Sequence, residues 1–136
     1  MVIYVDGSNR KSGIGGVGYI IFDNNNNLIE KKAKLIKRKG SAVTNNIAEY
    51  MAIIEAIKRL VKINKDKEKC IIYSDSRVVV NQIINNWNIN YLHLFKLNIE
   101  AKGLINNSDF DIELKEIRRE ENILANDLAQ GITEGK

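Results

Sequence analysis

Two aspartates stand where chemistry is commonly built. Asp6 closes the run Val2-Ile3-Tyr4-Val5 just ahead of Gly7-Ser8, and Asp75 follows Cys70-Ile71-Ile72-Tyr73 inside Ser74-Asp75-Ser76. Each run is short, β-branched and aromatic, which reads as a strand. In open α/β sheets, ligands bind in the crevice outside the carboxyl ends of the strands, so the two side chains are positioned to meet at the top of adjacent strands. Their oxygens are hard donors of the kind that hold Mg²⁺ while leaving several of its waters in place. Taken singly, each aspartate has a simpler reading as a turn or helix-cap residue. The glycines at 13, 15, 16 and 18 do not add a nucleotide cradle, because a strand follows them where a phosphate-binding loop requires a helix.

The elements that must carry these residues follow from the apolar pattern. After the first strand, the glycines feed a second through Tyr19-Ile20-Ile21-Phe22, Asp23 to Asn27 is turn chemistry, and Leu28 to Ile36 returns antiparallel. The period then changes: Ile47, Met51, Ile54, Ile57 and Val61 recur at helical spacing behind Thr44, an N-cap residue. The strand ending near Tyr73 leads into a helix after Ser76, and Leu92 to Ile105 reads as a third helix. Phe110 to Ile117 reads as a fifth strand, and Ala125, Leu128, Ala129 and Ile132 form the stripe of a last helix. The expected fold class is α/β, a five-stranded mixed sheet made of a three-strand antiparallel meander plus two parallel strands, flanked by helices. No linker, repeat or Pro-rich stretch divides the chain, so residues 1–136 are expected to form a single domain.

The 136 residues, 44% hydrophobic and 28% charged, are those of an ordinary globular protein that needs no disulfide or structural metal. The lone Cys70 excludes an internal disulfide and is expected to pack as a small hydrophobe. The apolar runs around Ile71 and Val78 are too short to span a bilayer, Met1 leads into a strand rather than a signal sequence, and a cytoplasmic location is expected. Net charge is +4, a mild bias toward a polyanion. Basic residues concentrate in Lys31, Lys32, Lys34, Lys37, Arg38 and Lys39, and again in Lys58, Arg59, Lys62, Lys65, Lys67 and Lys69; solvated element faces explain such clusters as readily as a binding surface.

Five blocks recur in a fixed order: Tyr4-Val5-Asp6-Gly7-Ser8; the glycines through Gly18; Thr44-Asn45-Asn46-Ile47-Ala48-Glu49-Tyr50; Tyr73-Ser74-Asp75-Ser76; and Arg119-Glu120-Glu121-Asn122 with Ala125 and Leu128-Ala129. On these blocks the chain resembles type 1 ribonuclease H, in its short bacterial and archaeal form, across nearly its whole length. The passage from Trp87 to Leu92 leaves no room for the extra basic helix of some relatives. The resemblance implies an endonuclease that hydrolyses the RNA strand of RNA/DNA hybrids, leaving 5′-phosphate and 3′-hydroxyl ends. The implied cofactor is a pair of Mg²⁺ or Mn²⁺ ions about 4 Å apart that stabilise the charge on the attacking and leaving oxygens. Asp6 would be shared between the ions, Glu49 and Asp75 would bind on the leaving-group side, and the last helix would supply a fourth ligand. No membrane and no obligate protein partner is implied. The alternatives are a catalytically weak or inactive hybrid-binding module, or a DNA-directed nuclease of the wider superfamily.

The fourth ligand is where the sequence departs from the family pattern. The register of Ala125, Leu128 and Ala129 puts Asn126 where an aspartate is usual, and bringing in Asp127 would rotate the side chain by about 100° and pull the apolar stripe off the core. An amide oxygen still binds a hard cation but carries no charge, so weaker hold on one ion, a slower reaction and a preference for Mn²⁺ are expected. By the resemblance, Gly7, Ser8, Asn45 and Asn46 would face the wide minor groove and its 2′-hydroxyls. Arg77 stands where many relatives have glutamine and is read as a contact to substrate, with Trp87, or Tyr91, packing near the DNA strand. Arg119 is read as the group that assists phosphate binding or product departure. His93, the only histidine, does not match the mobile catalytic-loop histidine of some relatives and is read as structural or exposed.

Overall fold

The computed structural model describes residues 1–10, 12–38 and 42–133. Lys39 and the side chain of Ile132 lie outside the described part of the chain. In chain order the elements are β1 (Val2–Asn9), β2 (Gly15–Phe22), β3 (Leu28–Ile36), α1 (Asn45–Ile63), β4 (Cys70–Ser74), α2 (Arg77–Ile84), α3 (Leu92–Asn107), β5 (Ile112–Glu116) and α4 (Ile123–Thr133), with a turn of 3₁₀ helix at Arg119–Glu121 before the last. The sheet order is β3-β2-β1-β4-β5; the meander is antiparallel, and β4 joins β1 and β5 in parallel. β1 is therefore the middle strand, hydrogen-bonded on both sides.

Cross-strand partners share a face of a sheet, so the register assigns the layers. Ile3 and Val5 of β1 lie beside Ile21 and Tyr19 of β2 and, on the other side, beside Ile72 and Ser74 of β4. This face is almost wholly buried and meets α1, whose Ile47, Ile53, Ile57 and Leu60 have no exposed surface. Each such side chain contributes roughly 1.5–3 kcal/mol by leaving water. The predicted α1 stripe is turned slightly, because the helix lies against both the sheet and α3: Ile53 and Leu60 belong to it, while Val61 is 51% exposed. A buried polar chain ties the helices together, with the Tyr50 hydroxyl donating to Gln82 Oε1 at 2.7 Å and Asn98 Nδ2 donating to the Tyr50 oxygen at 3.1 Å.

The opposite face of the meander carries Tyr4, Asp6 and Gly18, and α4 packs across it. Two expectations shift here. β1 does not stop at Asp6 but stays paired with β2 as far as Asn9, and Gly15, Gly16 and Gly18 are strand residues of β2 rather than a loop. The reason at Gly18 is packing: a Cβ there would lie 2.7 Å from the Ala125 carbonyl oxygen and 2.8 Å from the Ala129 nitrogen, so α4 can sit on the strand only where a side chain is missing. β5 is shorter than expected, with Phe110 buried just ahead of it. Among the described residues, no helix is long and apolar enough to cross a membrane.

Candidate active site

The parallel ladder between β1 and β4 runs from Val2↔Ile71 to Val5↔Ser74 and ends there. Asp6, still in β1, and Asp75, just past the end of β4, are the next residues along each chain segment, so they flank a fork in the sheet. Glu49 arrives from the first turns of α1, a helix whose start is fixed by the Thr44 hydroxyl accepting the Ile47 N–H at 3.3 Å. What lets α1 come so close is Gly7. A Cβ at that position would lie 2.2 Å from the Ala48 carbonyl carbon and 2.5 Å from the Glu49 nitrogen, so strand and helix touch backbone to backbone. The Gly7 N–H donates to Glu49 Oε1 at 3.3 Å. One oxygen from each of Asp6, Glu49 and Asp75 falls within 4.8 Å of the others.

Asp6 is 2% exposed and Glu49 4%, whereas Asp75 is half-buried. Burial, then the charge of Asp6 and, less, of Asp75, pushes the Glu49 carboxyl well above the ordinary carboxylate range, against the weaker pull of the Gly7 N–H. Asp75 is raised by burial and then by Asp6, with Asn122 and Arg119 opposing. Glu49 Oε2 is buried with no hydrogen-bond partner. Three converging carboxylates, one of them with an orphaned oxygen, fit a hard divalent cation: positive charge placed among them would relieve both the repulsion and the missing partner.

α4 completes the wall. Ala125 and Ala129 have no exposed surface, and that register aims Asn126 at the site, where Nδ2 donates to Asp6 Oδ2 at 2.6 Å, while Asp127 is exposed. For Asn126 to offer a cation its oxygen, the amide must turn over and give up this bond. At the start of α4, Asn122 is 1% exposed, with Nδ2 donating to the Val5 carbonyl at 2.7 Å.

A cleft of about 310 Å³ opens over the carboxylates, and Gly7, Ser8, Asn45, Arg119 and Asn126 line it together with Asp6, Glu49 and Asp75. The same cleft includes Ser76, the last residue of the Tyr73-Ser74-Asp75-Ser76 block, and Arg10, which no motif block contains. Arg10 was legible, since Asp6, Ser8 and Arg10 repeat at the strand period of two. Asn46 lies in an adjoining depression with Thr44, Tyr91 and His93, and Asn45 borders both hollows. Arg77 and Trp87 do not line the cleft; they pair with each other, the guanidinium carbon 5.7 Å from the ring centre. Cys70 is buried, and burial raises its thiol.

Among the described residues, five of the basic clusters stand in ion pairs. Lys34, Lys58, Arg59, Lys67 and Lys69 are each ion-paired, to Glu55, Glu100, Glu30, Asp109 and Glu113 respectively. Exposed pairs of this kind are each worth little to stability.

A family model described as RNase H matches residues 1–127. A ribonuclease H of Clostridium botulinum is 36% identical over 93 residues, covering 64% of this chain and 54% of that protein. The chain spans about half, or less, of the length of the curated relatives it matches. Among solved structures, RNase H1 of the halophilic archaeon Halobacterium salinarum NRC-1 is 25% identical with a TM-score of 0.87, covering 99% of this chain and 98% of that one. LC11-RNase H1, crystallised in complex with an RNA/DNA hybrid, is 25% identical with a TM-score of 0.85, covering 98% of this chain and 96% of that one.

Proposed function

Since the chain belongs to the RNase H family, we propose that it is a metal-dependent endonuclease that hydrolyses the RNA strand of RNA/DNA hybrids. The observation that carries this is the convergence of Asp6, Glu49 and Asp75 within 4.8 Å under an open cleft. The hybrid bound by its structural relative supports the choice of substrate. Asp6, Glu49 and Asp75, with the Asn126 amide, would hold two Mg²⁺ or Mn²⁺ ions. Such ions, when bound, offset negative charge on the attacking and leaving oxygens and make water a stronger nucleophile.

The chain's own groups do the rest. Burial of Asp6 and Glu49 excludes bulk water from the ligand oxygens, so a doubly charged partner is held against fixed anions in a low-dielectric setting. Arg10 and Arg119, on the exposed wall of the cleft, are placed to contact phosphate oxygens. Ser8 and Asn45 offer short polar groups of the kind that read a 2′-hydroxyl in a shallow groove. Asn46, Arg77 and Trp87 extend the substrate surface beyond the cleft. Water attacks the phosphorus, the bond to the 3′ oxygen breaks, and a proton returns to that oxygen, giving a 5′-phosphate and a 3′-hydroxyl with no covalent enzyme intermediate.

The test offers RNA/DNA hybrid, double-stranded RNA and double-stranded DNA to the chain with Mg²⁺ or Mn²⁺, beside Asp6→Asn. Hybrid cleavage lost in the variant supports the proposal. Tight hybrid binding without cleavage would make the chain a binding module, and cleavage of DNA alone a DNA-directed nuclease.

A further inference from the structure

Asn122 occupies the N-cap position of α4: its carbonyl accepts the first helical bond, from the Asn126 N–H at 3.0 Å. An asparagine there ordinarily turns its side-chain oxygen back onto an N–H of the first turn. This one points into the sheet instead. Its Nδ2 donates to the Val5 carbonyl at 2.7 Å and makes a longer contact to Asp75 Oδ2 at 3.4 Å, and its Oδ1 is buried with no partner. Val5 is the last β1 residue paired with β4, and Asp75 is the first residue past the end of β4. The amide therefore sits in the fork, bonded to β1 and to the residue just past β4, at the point where the two strands part. One helical turn later, Asn126 donates to Asp6. α4 thus gives one amide to each aspartate from a single face.

We propose that Asn122 is a positioning residue for the carboxylate site, setting the separation of Asp6 and Asp75 at the strand fork and seating α4 so that Asn126 faces Asp6. This rests on the reading of those carboxylates as cation ligands. Two features of the residue fit a positioning role better than a packing role. It forgoes its helix cap, and it leaves one buried oxygen unsatisfied, which an apolar side chain of similar size would avoid. What an apolar side chain lacks is the uncharged donor that reaches both the Val5 carbonyl and the Asp75 carboxylate. An ionised carboxylate at this position would supply no donor and would add a like charge beside Asp75.

The test compares the full chain with Asn122→Leu, Asn122→Ala and Asn122→Ser, each checked for folding by circular dichroism. Mn²⁺ binding is titrated calorimetrically without substrate, and kcat and KM for a hybrid are then measured at saturating Mn²⁺. The expected result is Mn²⁺ affinity weakened about 10–100-fold in the Leu and Ala variants, as for other groups that orient metal ligands. kcat should fall with KM for the hybrid within about twofold of the parent, and the Ser hydroxyl, a shorter donor, should recover part of the loss. A packing role would instead let Leu match the parent. A folded Leu or Ala variant that binds Mn²⁺ within about twofold of the parent overturns this inference alone; a parent that binds no Mn²⁺ overturns it together with the proposed function.

Discussion

Replacing Glu49 by glutamine should make the metal-free protein more stable while destroying its activity. Glutamine keeps the shape of the side chain and an oxygen for the Gly7 N–H, and it sets an N–H₂ donor among carboxylate oxygens where Glu49 now has an orphaned, buried acceptor. Leaving such an acceptor unsatisfied costs about 1–3 kcal/mol. For a chain of this length each kcal/mol moves the melting temperature by about 3–5 °C, so Glu49→Gln should melt roughly 3–15 °C above the parent in chelator. The pH dependence has a definite sign. The native Glu49 carboxyl is raised well above the ordinary range, so the folded state holds its proton longer than the unfolded state does. Stability from this group is then fully present below about pH 4, where both states are protonated, and is lost as pH climbs through the raised native value. The gap between variant and parent should vanish in acid and widen toward neutral and mildly alkaline pH. Adding Mn²⁺ should close it from the other side, since a ligand at a hundred times its Kd stabilises the parent by about 2.7 kcal/mol and the variant by much less. Scanning calorimetry across pH, with chelator or Mn²⁺, measures all of this. A variant melting at or below the parent in chelator at mildly alkaline pH would refute the account of Glu49 as a buried anion awaiting a cation.

Asp6→Asn should lower hybrid cleavage at least about 100-fold in a gel assay without loss of helical signal, because it removes a ligand and not a packing contact. Gly7→Ala should cost about 3 kcal/mol or more in urea unfolding, since its Cβ would lie 2.2 Å from the Ala48 carbonyl carbon and strand and helix must part. Asn126→Asp should raise Mg²⁺-supported cleavage and reduce the preference for Mn²⁺. It should also lower metal-free stability by about 1.5–3 kcal/mol, because a hydrogen bond to the Asp6 carboxylate becomes a like-charge contact; unchanged melting in chelator would contradict this. Arg10→Ala and Arg119→Ala should each reduce the slope of log affinity against log salt for hybrid binding by about one, measured with a catalytically dead chain.

The order and type of the elements were legible because the apolar period changes sharply at Thr44, Ser76 and Leu92, and the caps at Thr44 and Ser76 hold where expected. Asp6 and Asp75 stand out as carboxylates at strand ends, and Ala125 and Ala129 carry the register that turns Asn126 rather than Asp127 inward. Glu49 is different. Nothing in the helical pattern of α1 marks it as buried, and only the motif resemblance picks it out, because its burial depends on how closely α1 approaches Gly7. The rest was hidden for similar reasons. At Gly18 a Cβ would meet α4 and at Gly15 it would meet Val43, so these glycines serve close packing within a strand, whereas propensity alone reads glycines as loop. Part of the basic clusters, Lys34, Lys58, Arg59, Lys67 and Lys69, is taken up in ion pairs to residues distant in sequence, which composition alone does not show. Asn122 belongs to a recognised motif, yet its inward turn depends on a strand fork that exists only after β4 has docked on β1.

The site draws on residues from position 6 to position 126, and its middle strand is made first while the neighbour that completes the fork is made more than sixty residues later. During synthesis, the β1–β3 meander can pair as soon as it leaves the ribosome, yet it holds only Asp6 of the three carboxylates. Glu49, Asp75 and α4 are added in turn, and only the last completes the proposed site. On the proposed function, a nascent chain would lack its full set of ligands until its final helix has emerged.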